Sequence, residues 1–331
     1  MPALLSATDQ HGYLEDLARR CAARGLPLTW TGFACMDSNP SSTDRWVELA
    51  RRLQSESVPF YPQLSPRTVD FRLNWDSSMM FMSMPDGWHR VVGASGREAK
   101  KALLTDPAWR LDAREEWDRV GKALFPHRRP DRVRFVEVYG TENEKWLGRS
   151  LADLTADRGG HPSDVLADFM VANDCRLGVV AQGVANADVD QVAQVLSDPA
   201  VLVSSSDAGA HMQMLCASGD STLLLSRHVR DRGDLTLEEA VHQLTGRQAE
   251  AFGFNGRGRV APGCVADIAV FDIDELHYED DGFVSDLPGG GARLRRPEGG
   301  YRATFVNGIG VQVEGKLTGA LPGRVIASYE D

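Results

Sequence analysis

The residue types best suited to chemistry in this chain follow one apolar run. Val201-Leu202-Val203 leads into Ser204-Ser205-Ser206-Asp207-Ala208-Gly209-Ala210-His211. A carboxylate and an imidazole four residues apart can move protons or hold a metal ion when a rigid strand end presents them. Two readings fit this pattern. In one, a buried parallel strand opens at its carboxyl end into a catalytic site that contains Asp207. In the other, Asp207 heads a turn and bonds only nearby backbone amides. His211 divides in the same way, between a substrate-binding group facing that pocket and a loop histidine bonded to backbone. Arg67, in Ser65-Pro66-Arg67, leaves another strand end. Its planar guanidinium suits bidentate recognition of a substrate carboxylate.

These side chains need a scaffold of strands and helices. Spacing predicts a helix from Thr8-Asp9 to Gly25, with Tyr13, Leu14, Leu17, Ala18 and Cys21 on one face, then a strand over Leu26 to Phe33. Ser42-Thr43-Asp44 opens a second helix, and Val58 to Leu64 reads as a strand weakened by two prolines. Residues 65–95 show no period and read as a long lid or substrate wall. Helices are expected near 96–104 and 111–123, a strand over Arg132 to Val138, and helix starts at Ser150 and Pro162. A strand over Leu177 to Ala181, a helix over 186–197, the strand 201–206 and a helix over 236–252 complete the pattern. Alternating strands and helices imply a parallel sheet covered by helices.

Other polar residues compete less well. His89 and Trp88 lie in the long stretch, where simple exposure of the histidine is the plainer reading. Glu137 and Tyr139 end a strand, and an inward structural carboxylate explains Glu137 equally. Met79, Met80, Met82 and Met84 can line an apolar pocket or pack as a buried lid.

Composition narrows the function classes. The 331 residues are 42% hydrophobic and 25% charged, ordinary for a globular protein long enough for one large domain and a small one. A formal charge of −11 argues against a nucleic-acid partner. Cys21, Cys35, Cys175, Cys216 and Cys264 are scattered without CxxC or CxxH spacing, which points to buried thiols in a reducing compartment. The first residues lack a basic, apolar leader, and no apolar run reaches the roughly 18 residues of a membrane span. The expectation is a cytoplasmic protein with a small-molecule substrate and no membrane partner.

The carboxyl-terminal third is the most patterned. Gly258 and Gly263 bracket Arg259-Val260-Ala261-Pro262, and Val265-Ala266-Asp267-Ile268-Ala269-Val270-Phe271 reads as a strand. Asn307-Gly308 between apolar runs signals a hairpin. Glu314-Gly315 and Thr318-Gly319-Ala320-Leu321-Pro322-Gly323-Arg324 follow. Asp267 reads as structural.

Taken in this order, these pieces resemble the carboxyl-terminal part of the metal-dependent amidohydrolase superfamily, in its D-aminoacylase (N-acyl-D-amino-acid deacylase) branch. The resemblance spans 200–326 and extends more loosely over 133–200. It implies an α/β fold: a partial (β/α)8, TIM-type barrel over residues 1–254 lacking its amino-terminal strands, plus a small β domain over 255–331. It implies a hydrolase of carbon–nitrogen bonds other than peptide bonds. Asp207 takes the place of the family aspartate that orients or deprotonates the attacking water and touches the metal, with zinc or another divalent ion as the implied cofactor. The sequence departs from the family in two respects. Five barrel-type strands precede the final domain where eight are needed, and the metal-binding His-x-His is absent. No ligand other than Asp207 is identifiable. The alternative is a catalytically inactive fragment, or a scaffold or binding subunit. An open sheet edge would then be covered by a homo-oligomer or by a further amino-terminal segment.

Overall fold

The structure, a computed structural model, describes residues 10–31, 33–36, 39–75, 86–119, 129–204 and 206–326. The strands are β1 (Leu28–Trp30), β2 (Phe60–Leu64), β3 (Val69–Asn74), β4 (Val133–Glu137), β5 (Gly178–Ala185) and β6 (Leu202–Val203). They continue with β7 (Ile268–Phe271), β8 (Gly282–Val284), β9 (Arg293–Arg295), β10 (Tyr301–Val306), β11 (Ile309–Val313) and β12 (Lys316–Leu317). The chain divides into two compact units. One comprises Met1–Arg67, Asp188–Met212 and Cys216–Asp331, the other Thr68–Ala187 and Gln213–Leu215.

The first unit contains a parallel sheet in the order β1-β2-β6. Leu28 pairs with Phe60, and Leu64 with Val203. The helices Gln10–Ala22, Pro40–Ser55 and Val189–Leu196 belong to this unit. Leu53, Phe60, Leu64, Leu196, Val201 and Leu224 are among its buried residues. β2 and β6 are largely buried, as parallel pairing favours, while β1 is half-buried. Among the described residues of the run read as a strand over 201–206, Leu202–Val203 is paired as one.

The same unit holds a four-stranded antiparallel sheet in the order β12-β11-β10-β7 and a two-stranded β8-β9 ribbon. The Asn307-Gly308 hairpin forms as expected, with Val306 facing Ile309 and both turn residues at positive φ, 51° and 78°. That geometry suits the right-handed twist of the flanking strands. Asp267 is structural, as read: it accepts hydrogen bonds from the Asn307 amide (2.8 Å) and from Arg257. Gly258 adopts φ +74°, and an added Cβ there would meet Ala249 Cβ and the Thr245 carbonyl at 2.8 Å.

The second unit corrects the expectation of a single parallel sheet. The strands predicted over Arg132–Val138 and Leu177–Ala181 pair antiparallel in the order β3-β5-β4. β3 lies inside the stretch read as a long lid, and a helix, Asp86–Gly93, follows it. The reason is visible in the residues. In β4, Val133 and Phe135 are fully buried while Arg134 between them is exposed, and the register shifts before the exposed Glu137. The alternation over 133–135 marks a sheet with one wet face, which antiparallel pairing permits. Trp75, Trp88, Trp109 and Trp117 form the unit's aromatic centre, with Trp88 edge-on to Trp109 at 5.2 Å. Met79, Met80, Met82 and Met84 lie outside the described residues.

Two further differences concern helices. The helix expected over 236–252 breaks at Thr245 (φ −129°, ψ −85°) into Leu237–Leu244 and Gly246–Phe252. The stretch before it, unassigned from sequence, forms a short helix, Asp220–Leu223, that continues as a π-helix over Leu224–Asp231. Among the described residues no helix is long and apolar enough to cross a membrane.

Candidate active site

In open α/β sheets, ligands gather beyond the carboxyl ends of parallel strands. Here that edge is formed by the residues after β1, β2 and β6. The β2 and β6 ends are adjacent: the Ser204 amide donates to the Leu64 carbonyl at 2.9 Å. Arg67 therefore stands three residues past β2, and Asp207 four residues past its neighbour β6.

Asp207 is exposed and holds φ +57°. Its own carbonyl accepts from the Ala210 amide at 3.1 Å, and the Ser206 hydroxyl accepts from the Ala208 amide at 3.2 Å. His211 is also exposed, at φ +49°, with Gly209 between them at +93°. Left-handed backbone at non-glycine residues costs on the order of 1 kcal/mol and persists only where surrounding contacts impose it.

Arg67 has a different environment from the one expected. Its guanidinium faces an internal carboxylate: Nε lies 3.5 Å from Asp220 Oδ1, and Nη1 donates to the Cys216 carbonyl at 3.1 Å. Ser65 Oγ donates to Asp220 Oδ2 at 2.7 Å and accepts from the Arg67 amide at 3.2 Å. The Asp220 side chain is 3% exposed and that of Arg67 17%. Burial pushes the Asp220 carboxyl above the usual aspartate range, against the opposing pull of Arg67. Beside this cluster, Arg296 donates to the Ser218 carbonyl at 3.2 Å and stacks 3.8 Å over the Tyr278 ring.

His228, on the π-helix, is fully buried, and its Nδ1 lies 2.7 Å from Asp234 Oδ2. Burial holds this imidazole below its ordinary value despite that carboxylate. Arg227, its neighbour, donates to the Pro66 carbonyl at 3.5 Å. Sequence reading missed Asp220, His228 and Asp234. A usable signal was present: Gly219-Asp220 heads the apolar run Thr222-Leu223-Leu224-Leu225, a helix start after a glycine.

The remaining sequence candidates take structural places. Trp88 is buried in the tryptophan cluster of the second unit, and His89 sits beside it in the same helix. Glu137 pairs with Arg72 at 2.6 Å across the β3-β5-β4 sheet. The Tyr139 amide donates to Asn173 Oδ1 at 2.6 Å.

The divalent metal implied by the resemblance needs several His, Cys, Asp or Glu side chains in one place. Among the described residues no three His, Cys, Asp or Glu side chains gather to hold a metal ion. Cys35, in the segment after β1, is buried, and burial pushes its thiol up to about 12. In the metal-free protein it is therefore a neutral thiol at neutral pH. The described donors do not fit a metal centre.

Comparison with known proteins completes the picture. The amidohydrolase family profile matches residues 102–311. An uncharacterized protein of Mycobacterium tuberculosis is 32% identical over 218 residues, covering 64% of this chain and 35% of its own length. A D-aminoacylase of Alcaligenes xylosoxydans xylosoxydans is 30% identical over an alignment of 350 residues, covering 97% of this chain and 66% of its own length. The chain thus spans less than two thirds of either relative. The crystal structure of a D-aminoacylase shares the fold with a TM-score of 0.51 at 18% identity, covering 94% of this chain and 52% of that one.

Proposed function

The chain belongs to the amidohydrolase family, and from that premise we propose that it serves as a hydrolase of carbon–nitrogen bonds other than peptide bonds, acting on small N-acylated D-amino acids. The finer architecture is proposed with it: the parallel β1-β2-β6 layer as part of a (β/α) barrel, residues 255–331 as a small β domain. The match to a D-aminoacylase along 97% of this chain supports the substrate class.

One observation carries the reading. Asp207 follows β6 on the carboxyl edge of the parallel β1-β2-β6 sheet, where such folds hold their ligands. In this proposal its carboxylate accepts a proton as water forms a bond to the acyl carbon. It then returns that proton to the nitrogen as the C–N bond breaks, releasing a carboxylic acid and a free amine. His211, exposed on the same segment, contacts the substrate.

The test is amine release from a panel of N-acetyl-D-amino acids, read by chromatography. Asp207→Asn keeps the shape but accepts no proton, and turnover should fall by about 10²–10⁴-fold, the usual worth of a general base. Wild-type turnover in this variant would refute the assignment.

A further inference from the structure

The segment that carries Asp207 and His211 is fastened at both ends to the same few residues. It leaves β6 with the Ser204 amide on the Leu64 carbonyl (2.9 Å). It comes back at Cys216, whose carbonyl accepts from Arg67 Nη1 at 3.1 Å. Between these points the Met212 carbonyl accepts from the Leu294 amide at 2.7 Å. Residues 64–67 are thus the common anchor. They are in turn gripped by the chain that follows: Ser65 and Arg67 by Asp220, and Pro66 by Arg227.

We infer that Arg67, held by Ser65 and Asp220, is a positioning residue for the Asp207 segment and not a ligand of the substrate. This rests on the hydrolase reading only for its catalytic consequence. The physical argument is independent of it. Arg67 meets an internal carboxylate and an internal carbonyl, so the recognition chemistry expected of it is already directed inward. A buried ion pair of this kind contributes little net stability, because desolvation of both charges offsets their attraction. Its value lies in geometry: the ion pair at 3.5 Å keeps the guanidinium beside Asp220 while Nη1 donates to the Cys216 carbonyl. The left-handed residues 207, 209 and 211 then lie in a segment with two fixed ends.

Hydrogen–deuterium exchange on the full chain tests this, comparing wild type with Arg67→Met, Asp220→Asn and Arg67→Lys. The Ser204 and Leu294 amides should exchange about tenfold faster in Arg67→Met and Asp220→Asn, an opening about 1.4 kcal/mol easier. Amides of β5, such as Val179 and Ala181, should keep wild-type rates in Asp220→Asn, whose global stability is unchanged, and Arg67→Lys should lie between wild type and Arg67→Met. Wild-type rates at Ser204 and Leu294 in both variants would overturn the inference. If exchange accelerates throughout the chain instead, Arg67→Lys decides: local acceleration supports the inference, and none overturns it.

Kinetics supply the second readout. A positioning residue lowers kcat by the same factor for an N-acetyl-D-amino acid and for its C-terminal amide, with KM unchanged. A raised KM confined to the free acid would mark Arg67 as a substrate ligand and overturn the inference. Local acceleration in a protein without turnover on either substrate would sink the hydrolase reading and leave the positioning role standing.

Discussion

Neutralising Asp220 should leave global stability intact, whereas removing its cation should not. The two charges lie 3.5 Å apart, which at an effective dielectric of about 20 gives roughly 5 kcal/mol of attraction. Against this stands the desolvation of a carboxylate only 3% exposed, several kcal/mol by itself. The Asp220 carboxyl lies above its ordinary range with burial as the leading cause, so desolvation exceeds attraction. The folded protein then holds the proton more tightly than the unfolded chain does. Stability from this group is present at low pH and is lost as pH rises from the ordinary aspartate range through the raised value. Asp220→Asn mimics the protonated form. At pH 7 it should unfold in urea at the wild-type free energy or up to about 1 kcal/mol higher. Arg67→Met strands the carboxylate and should cost about 3 kcal/mol at pH 7, a cost that shrinks toward pH 4 as Asp220 takes up its proton. Urea unfolding followed by far-UV circular dichroism at pH 4 to 8 measures both. A loss of 2 kcal/mol or more in Asp220→Asn at pH 7 would refute the reasoning, because attraction would then outweigh burial.

Three other outcomes follow from named contacts. Hydrogen bonds from Arg52 and Arg19 hold Glu15 down to about 2, so its contribution is present above the ordinary glutamate range and lost as pH falls toward 2. Because both arginines are more than 40% exposed, Glu15→Gln should cost no more than about 1 kcal/mol in urea unfolding, and a larger loss would contradict solvent screening. Trp109→Phe opens a void in the tryptophan cluster and strands the Gly87 carbonyl that the indole Nε1 now serves at 2.8 Å; about 3 kcal/mol of destabilisation is expected by the same assay, and under 1 kcal/mol would mean the site collapses freely. Burial lowers the His228 imidazole, so stability is full above the ordinary histidine range and falls as pH drops below it. His228→Asn should flatten that decline between pH 7 and 5, and an unchanged slope would assign it elsewhere.

Local chemistry was legible in the residues themselves. Asn307-Gly308 dictates its hairpin because both turn positions need positive φ. Ser150 and Thr236 start helices with capping boxes closed by Asp153 and Glu239, pairs only three residues apart. Asp267 declared itself structural from its place in a strand between turns. The apolar-polar-apolar order of Val133-Arg134-Phe135 was legible too, although its antiparallel meaning becomes plain only beside β5.

What the tertiary structure decided was partnership at long range. Ser65 and Asp220 lie 155 residues apart in sequence, and no periodicity or spacing encodes that meeting. It depends on β2 and β6 lying side by side and on the helix after Gly219 aiming a carboxylate at the turn beyond β2. Sequence alone placed Arg67 at a strand end with its charge available to a substrate, and the fold turned that charge inward. A side chain's type limits the chemistry it can perform, but the burial and neighbours that select among those possibilities arise only when distant segments pack together.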